Sequence, residues 1–265
     1  MPASAFMSER HHLLRLATWI IVPLLCLCAA YATLLRYPTH FFPHVVSLEG
    51  MNLRSDTPFD EVKGQEVLAD VRKRLLGGPL PSGPRTDTIF ICNKPWTRLV
   101  FRLACLKAGG LNYQPLTTNV FLSGAIVEEN RLIGPSGNTV PGEMTLVYFI
   151  AHELGHSLTH EHLGAWSYAR LAPWVREGVT DIIARGEVYG REGVCEAFLA
   201  ECPEMNWPAG APYLRYNLLL SFLVKEEHRS IDDLLKSPPD QGETERRFRK
   251  WLAEHTSPPH PQQVQ

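Results

Sequence analysis

The sequence is short of cysteine, nearly balanced in charge and free of internal repeats. Six cysteines in 265 residues are too few to staple a disulfide-built scaffold. Twenty-six Lys and Arg against 28 Asp and Glu leave a net charge of −2, so no overall basic field recommends nucleic acid as a partner. Charged residues make up only 20% of the chain and hydrophobic ones 45%, which is too apolar for a chain that stays unfolded. There is material for one domain of about 200 residues with a sizeable core. Something extra stands in front of it.

That extra is the run from Leu16 to Leu35, twenty residues without a charge, bracketed by Arg10 and Arg15 before it and Arg36 after. At 1.5 Å per residue it spans about 30 Å, the thickness of a bilayer's hydrocarbon core. Trp19 and Tyr31 sit near its ends, where amphipathic aromatics prefer the interface. Pro23 is tolerable in a membrane helix because neighbours re-satisfy the freed carbonyl. The run reads as an N-terminal anchor. The rival is a signal peptide cleaved near Ala32, with Ala30-Tyr31-Ala32 as the small-x-small site. The Arg10 and Arg15 charges favour the N-terminus inside, and either reading sets the bulk of the chain on the extracytoplasmic side, periplasmic or extracellular. Cys26 and Cys28 belong to the run. Cys92, Cys105, Cys195 and Cys202 remain, and an even number in an oxidising compartment suggests two disulfides, Cys92–Cys105 and Cys195–Cys202 being the simplest pairing.

The chain divides into a transmembrane or signal segment (1–36), a membrane-proximal stalk (37–56), a folded domain (57–256) and a Pro- and Gln-rich disordered tail (257–265). A helix is expected from Thr57 to Gly77-Gly78, with Pro58 at its first position. Thr88–Cys92 reads as a short strand and Pro95–Leu106 as a helix. Val120–Val127 and Arg131–Ile133 read as a hairpin about Glu129-Asn130. Strong helices follow near 143–160, 173–185 and 213–224, with others near 231–235 and 243–254. Strands come first and helices after, an α+β order with a small mixed sheet and a helical second half.

His152-Glu153-Leu154-Gly155-His156 carries the chemistry. Histidines at i and i+4 on a helix share one face and can share one Zn²⁺. Glu153 is turned about 100° away, beside the metal, where it can take a proton from the attacking water. A catalytic zinc needs a third protein ligand and an open position. Glu177, in Trp174-Val175-Arg176-Glu177-Gly178, is the first candidate. Asp181 lies four residues on from it, on the same face, placed to accept the second ring N–H of a ligand histidine. His162 is the second candidate, at the third-ligand position of H-E-x-x-H-x-x-G-x-x-H. Thr159 replaces that pattern's glycine, so the helix can continue and carry His162 away. His160 could line the same face as His156, but reads better as exposed or supporting.

With twenty residues between His156 and Glu177, and with both E-G and E-x-x-x-D after it, the chain resembles the gluzincin metallopeptidases, the thermolysin-like and aminopeptidase-like clan. The match covers about 30 residues strictly. It implies a zincin-like fold, one Zn²⁺ on His152, His156 and Glu177, and hydrolysis of a peptide or protein substrate with Glu153 as base. It also implies a backbone edge strand ahead of the zinc helix that receives substrate as an added strand. Pro212-Tyr213 resembles the clan's P-Y-x-x-G element, whose tyrosine steadies the tetrahedral intermediate; Tyr216 stands where the glycine would be and is the alternative donor. Gly124–Asn130 is similar to the G-x-M-E-N substrate strand but is two residues longer and lacks the methionine, so a plain hairpin is the reading kept. A zinc hydrolase of non-peptide amides such as cell-wall material, and a catalytically silent zinc-stabilised binding domain, stay open beside the peptidase.

Overall fold

The computed structural model describes residues 3–83, 85–205 and 212–255; the side chains of residues 3–18 and of Glu204 are not among those described. The expected tail at 257–265 lies outside the described residues. Helix α1 (Ala3–Arg36) leads. Its stretch Trp19–Arg36, at mean hydropathy 1.9, is long and apolar enough to cross a membrane and is hardly buried by the rest of the chain.

The expected stalk is instead the first hairpin of the sheet. Strands β1 (His44–Leu48) and β2 (Met51–Ser55) pair antiparallel, with Leu48 opposite Met51. The two residues between them, Glu49 at φ 46° and Gly50 at φ 87°, are both left-handed, as a two-residue turn matching strand twist requires. Val46, Met51, Leu53 and Ser55 are buried. This alternation over 44–55 is the sequence signature of the hairpin, although Pro38 and Pro43 stand just before it. Helix α2 (Glu61–Gly77) starts later than Thr57, because the Asp60 carboxylate caps it by accepting the Lys63 N–H at 3.0 Å, a stronger cap than threonine.

Strand β3 (Asp87–Ile91) is followed by the short helix α3 (Pro95–Phe101), strand β4 (Gly110–Asn112) and strand β5 (Val120–Leu122). The order β1-β2-β3-β5-β4 makes a mixed sheet: β2, β3 and β5 run parallel, and each outer strand is antiparallel to its neighbour. The expected hairpin is present but split, since Ser123-Gly124 separates β5 from the small pair β6 (Ala125–Ile126) and β7 (Arg131–Leu132). The fold is therefore α+β, built on a small mixed sheet.

Both faces of the sheet are covered, and the period of two sorts the side chains. Ile89, Ile91, Val120 and Leu122 face the larger core under α2 and the later helices. Phe90, Cys92 and Phe121 face a smaller one with Leu35, Phe42 and Phe101. In that smaller core Phe121 stacks on Phe90 at 5.2 Å and on Phe101 at 5.3 Å between ring centroids. Cys92 lies buried in it, its thiol pushed up by that burial and further by Asp56, while Cys105 is exposed beyond α3. The two are unbridged, and Cys195 is unbridged as well. Neither expected disulfide is formed; for the first pair the reason is that the Cys92 side chain points into the aromatic core beneath α3 while Cys105 lies at the surface.

The helical half contains α4 (Leu146–Leu163), α5 (Ala165–Arg170), α6 (Pro173–Arg185), α7 (Val194–Leu199), α8 (Tyr213–Lys225), α9 (Ile231–Lys236) and α10 (Gln241–His255). Helix α4 is capped by Thr145, whose hydroxyl accepts the Tyr148 N–H, and nearly every residue of its first three turns is buried. It is a core helix, apolar all round in its first turns and then carrying the buried polar face of His152, Glu153 and Ser157. Helix α6 packs on α4 and α8 packs on α6, both at close range. A Cβ on Gly155 would stand 3.2 Å from Thr180, and one on Gly178 would stand 2.9 Å from the Tyr216 carbonyl oxygen. Glycine at these two crossings lets α6 sit near enough to deliver a side chain to the face of α4.

Candidate metal centre

That side chain is Glu177. Its Oε2 lies 3.4 Å from His152 Nε2 and 3.5 Å from His156 Nε2, and one ligand atom from each of the three falls within 4.8 Å of the others. Two imidazoles one turn apart on α4 and a carboxylate from α6 thus converge on one point. The other carboxylate oxygen, Oε1, accepts from Arg176 Nε at 3.3 Å, leaving Oε2 toward the histidines. Burial alone would raise the Glu177 carboxyl, but His152 and His156 hold it well below the usual carboxylate range. The set fits a divalent metal: two nitrogens and one oxygen, with an ionised carboxylate and a cavity of about 300 Å³ on the fourth side.

Glu153 lines the same cavity but is not in the converging set. Burial pushes its carboxyl up to about 7, with His156 opposing and Glu177 adding to the rise. One wall against it is Gly110 of β4, where a Cβ would stand 2.7 Å from the Glu153 Cγ. Strand β4 ends the sheet order, and its residues form one side of the cavity. Asn112 ties it to α4, donating to the Glu153 carbonyl at 3.2 Å and to Ser157 Oγ at 2.5 Å.

Tyr213 opens α8 and faces the cavity, its ring 4.7 Å from that of His152. Burial, then Glu177 and Glu153, push its phenol well up, so it stays a hydrogen-bond donor. Tyr216 is one turn on and does not line the cavity. His162 bonds Asp232 of α9 at 2.8 Å, outside the cluster, because α4 stays helical to Leu163 and ends only at Gly164. His160 packs its ring against Tyr168 at 5.3 Å.

Asp181 does not orient a ligand histidine. The order of contacts runs backward along α4, so one turn beyond Glu177 on α6 meets Tyr148, one turn before His152. There the fully buried Asp181 accepts from Tyr148 Oη at 2.5 Å, from Arg185 Nε at 2.9 Å and from Asn217 Nδ2 at 2.9 Å. It ties α4, α6 and α8 together. Among the described residues His152 Nδ1 has no partner, whereas His156 Nδ1 pairs with Tyr168 Oη at 3.2 Å. Tyr168 and the β4 residues are what sequence reasoning missed. Both sit on elements of three to six residues, too short for any periodicity to register.

No protein-family model matches the chain, and no curated protein matches it significantly. Function must be argued from the site itself.

Proposed function

We propose that this chain is a membrane-tethered, zinc-dependent metallopeptidase of gluzincin type and zincin-like fold. Its domain lies on the extracytoplasmic side, and it hydrolyses peptide bonds in peptide or protein substrates. The observation that carries the reading is the convergence of His152, His156 and Glu177 beside a buried carboxylate, Glu153, that is not a ligand. A structural metal needs no such base; a hydrolytic one does.

A Zn²⁺ held by His152, His156 and Glu177 would supply a nucleophile from water at neutral pH and polarise the scissile carbonyl. The rest falls to the chain. Glu153, near neutrality in affinity for a proton, takes one from the attacking water and gives it to the leaving amine. Tyr213, kept protonated by burial, donates to the oxyanion as it forms. His156, with Nε2 turned to the ligand point, has Nδ1–H available to donate to Tyr168 Oη, which fixes tautomer and ring together. Strand β4, free along its outer side among the described residues, receives the substrate backbone as an added strand.

Profiling the purified full chain against a peptide library, with and without chelator, tests this. Chelator-sensitive cleavage is the expected result, together with near-stoichiometric zinc that is lost in His156→Ala and Glu177→Ala. Cleavage that survives both substitutions would reject the site. Activity confined to non-peptide amides would keep the site and replace the substrate.

A further inference from the structure

The smaller core has an outer surface as well as an inner one, and that surface is apolar. Tyr37 (64% exposed), Phe41 (40%), Trp96 (46%), Leu99 (55%), Leu103 (59%) and Leu106 (45%) all face outward. Single exposed apolar side chains are ordinary; a contiguous group is not. Phe41, Trp96, Leu99 and Leu103 form such a group. The Phe41 and Trp96 rings meet edge to face at 5.7 Å, Trp96 and Leu99 are three apart on α3, and Leu103 follows four residues on in the turn after it. Asp56 holds α3 in place, accepting the Asn93 and Lys94 N–H groups at 2.9 and 3.0 Å.

This surface lies against the end of α1. Tyr31 Oη donates to the Val100 carbonyl of α3 at 2.9 Å, Asn119 Nδ2 donates to the Leu35 carbonyl at 2.9 Å, and Leu35 is buried in the smaller core. Helix α1 is therefore docked on the domain. Tyr31 is five residues short of Arg36, roughly 7–8 Å along the axis. Amphipathic helices that lie in a bilayer interface bury their apolar face to about 5–10 Å.

Charge points the same way. From residue 88 to 127 the sequence contains Lys94, Arg98, Arg102 and Lys107 and neither Asp nor Glu. Lys94, Lys107 and the adjoining Arg36 are exposed. Apolar residues accompanied by the exposed Lys94, Lys107 and Arg36 match an anionic lipid surface. A two-fold contact with a second copy would instead set these basic residues against one another.

We propose that α3 and the turn after it, together with Tyr37 and Phe41, form a second membrane contact, a surface that rests in the bilayer interface beside the exit of α1. The proposal relies on α1 entering the bilayer, and the test separates the two. The full chain is placed in nanodiscs of phosphatidylcholine and phosphatidylglycerol, with lipids brominated at a shallow or a deep acyl position. Emission of Trp96 and of Trp19 is obtained by difference, using Trp96→Phe and Trp19→Phe. Trp96 is expected to lose emission to shallow bromine more than to deep, with Trp19 quenched as well. In Leu99→Glu/Leu103→Glu the Trp96 loss should disappear while the Trp19 loss and the melting temperature persist. Quenching of Trp19 without Trp96 overturns the contact and leaves the anchor standing. That includes the case in which cross-linking finds Trp96 against a second copy. If neither is quenched, α1 is not in the bilayer and the proposal falls with it.

Discussion

The two faces of the sheet are buried by different means. On one, Phe121 stacks between Phe90 and Phe101 while Phe42 meets both edge to face, with Leu35 and the Cys92 side chain filling in. On the other, the helices that carry the histidines and Glu177 are joined by a buried polar knot of Asp181, Tyr148, Arg185 and Asn217. Aromatic stacking excludes water and tolerates small shifts. A charged, fully hydrogen-bonded knot does not, since each displaced member leaves a buried group unsatisfied. The face that must hold side chains in fixed positions is wired; the face that only has to be dry is packed.

Substitutions can break that division. Glu153→Gln, on the wired face, is nearly isosteric and removes no ligand. Peptide hydrolysis should fall by roughly 10²–10⁴ with zinc content unchanged, read by kcat and metal analysis. Asp181→Ala leaves the buried Tyr148 and Asn217 and the half-buried Arg185 without their shared acceptor and should cost about 3 kcal/mol of stability, measured by denaturant unfolding. What remains folded should also lose metal affinity, because α6 carries Glu177. Tyr213→Phe should lower kcat by about 10²–10³ with KM and zinc unmoved. A fully active Tyr213→Phe would send the oxyanion donor elsewhere, with Arg176 next in line. Phe121→Leu, on the packed face, should lower stability by only about 1–2 kcal/mol and leave kcat intact in the folded protein. If Phe121→Leu instead depressed kcat as far as Tyr213→Phe, the faces would not be separate.

How far the sequence reached follows the same line. Helix α6 was legible to the residue, since Pro173 opens it and Gly186 closes it, and local signals of that kind need no tertiary context. The pairing of Glu177 with the H-E-x-x-H face was expected from the family resemblance, with His162 as the rival, and it is Glu177 that lies beside the two histidines. The role of Asp181 was not. Four residues on a helix fix the face but not the depth along the neighbour, and here one turn of depth exchanges a histidine for Tyr148. The first hairpin was hidden behind Pro38 and Pro43, although its Glu49-Gly50 turn and alternating side chains were present. The cysteines misled because even number and near spacing are silent about direction, and Cys92 points inward.

Gly110 has a further consequence. The strand on which a substrate would lie under the proposed function is the same backbone that passes so close to Glu153 that a Cβ at position 110 would collide with its side chain. Under the proposed function, registration of the substrate and placement of the base would depend on one mechanical element. A methyl group at position 110 would act on both at once: it would push the carboxylate off its position and shift the strand along which a peptide is ruled into register. If the proposed function holds, Gly110→Ala should lower peptide hydrolysis without altering a charge, a ligand or a hydrogen-bonding group.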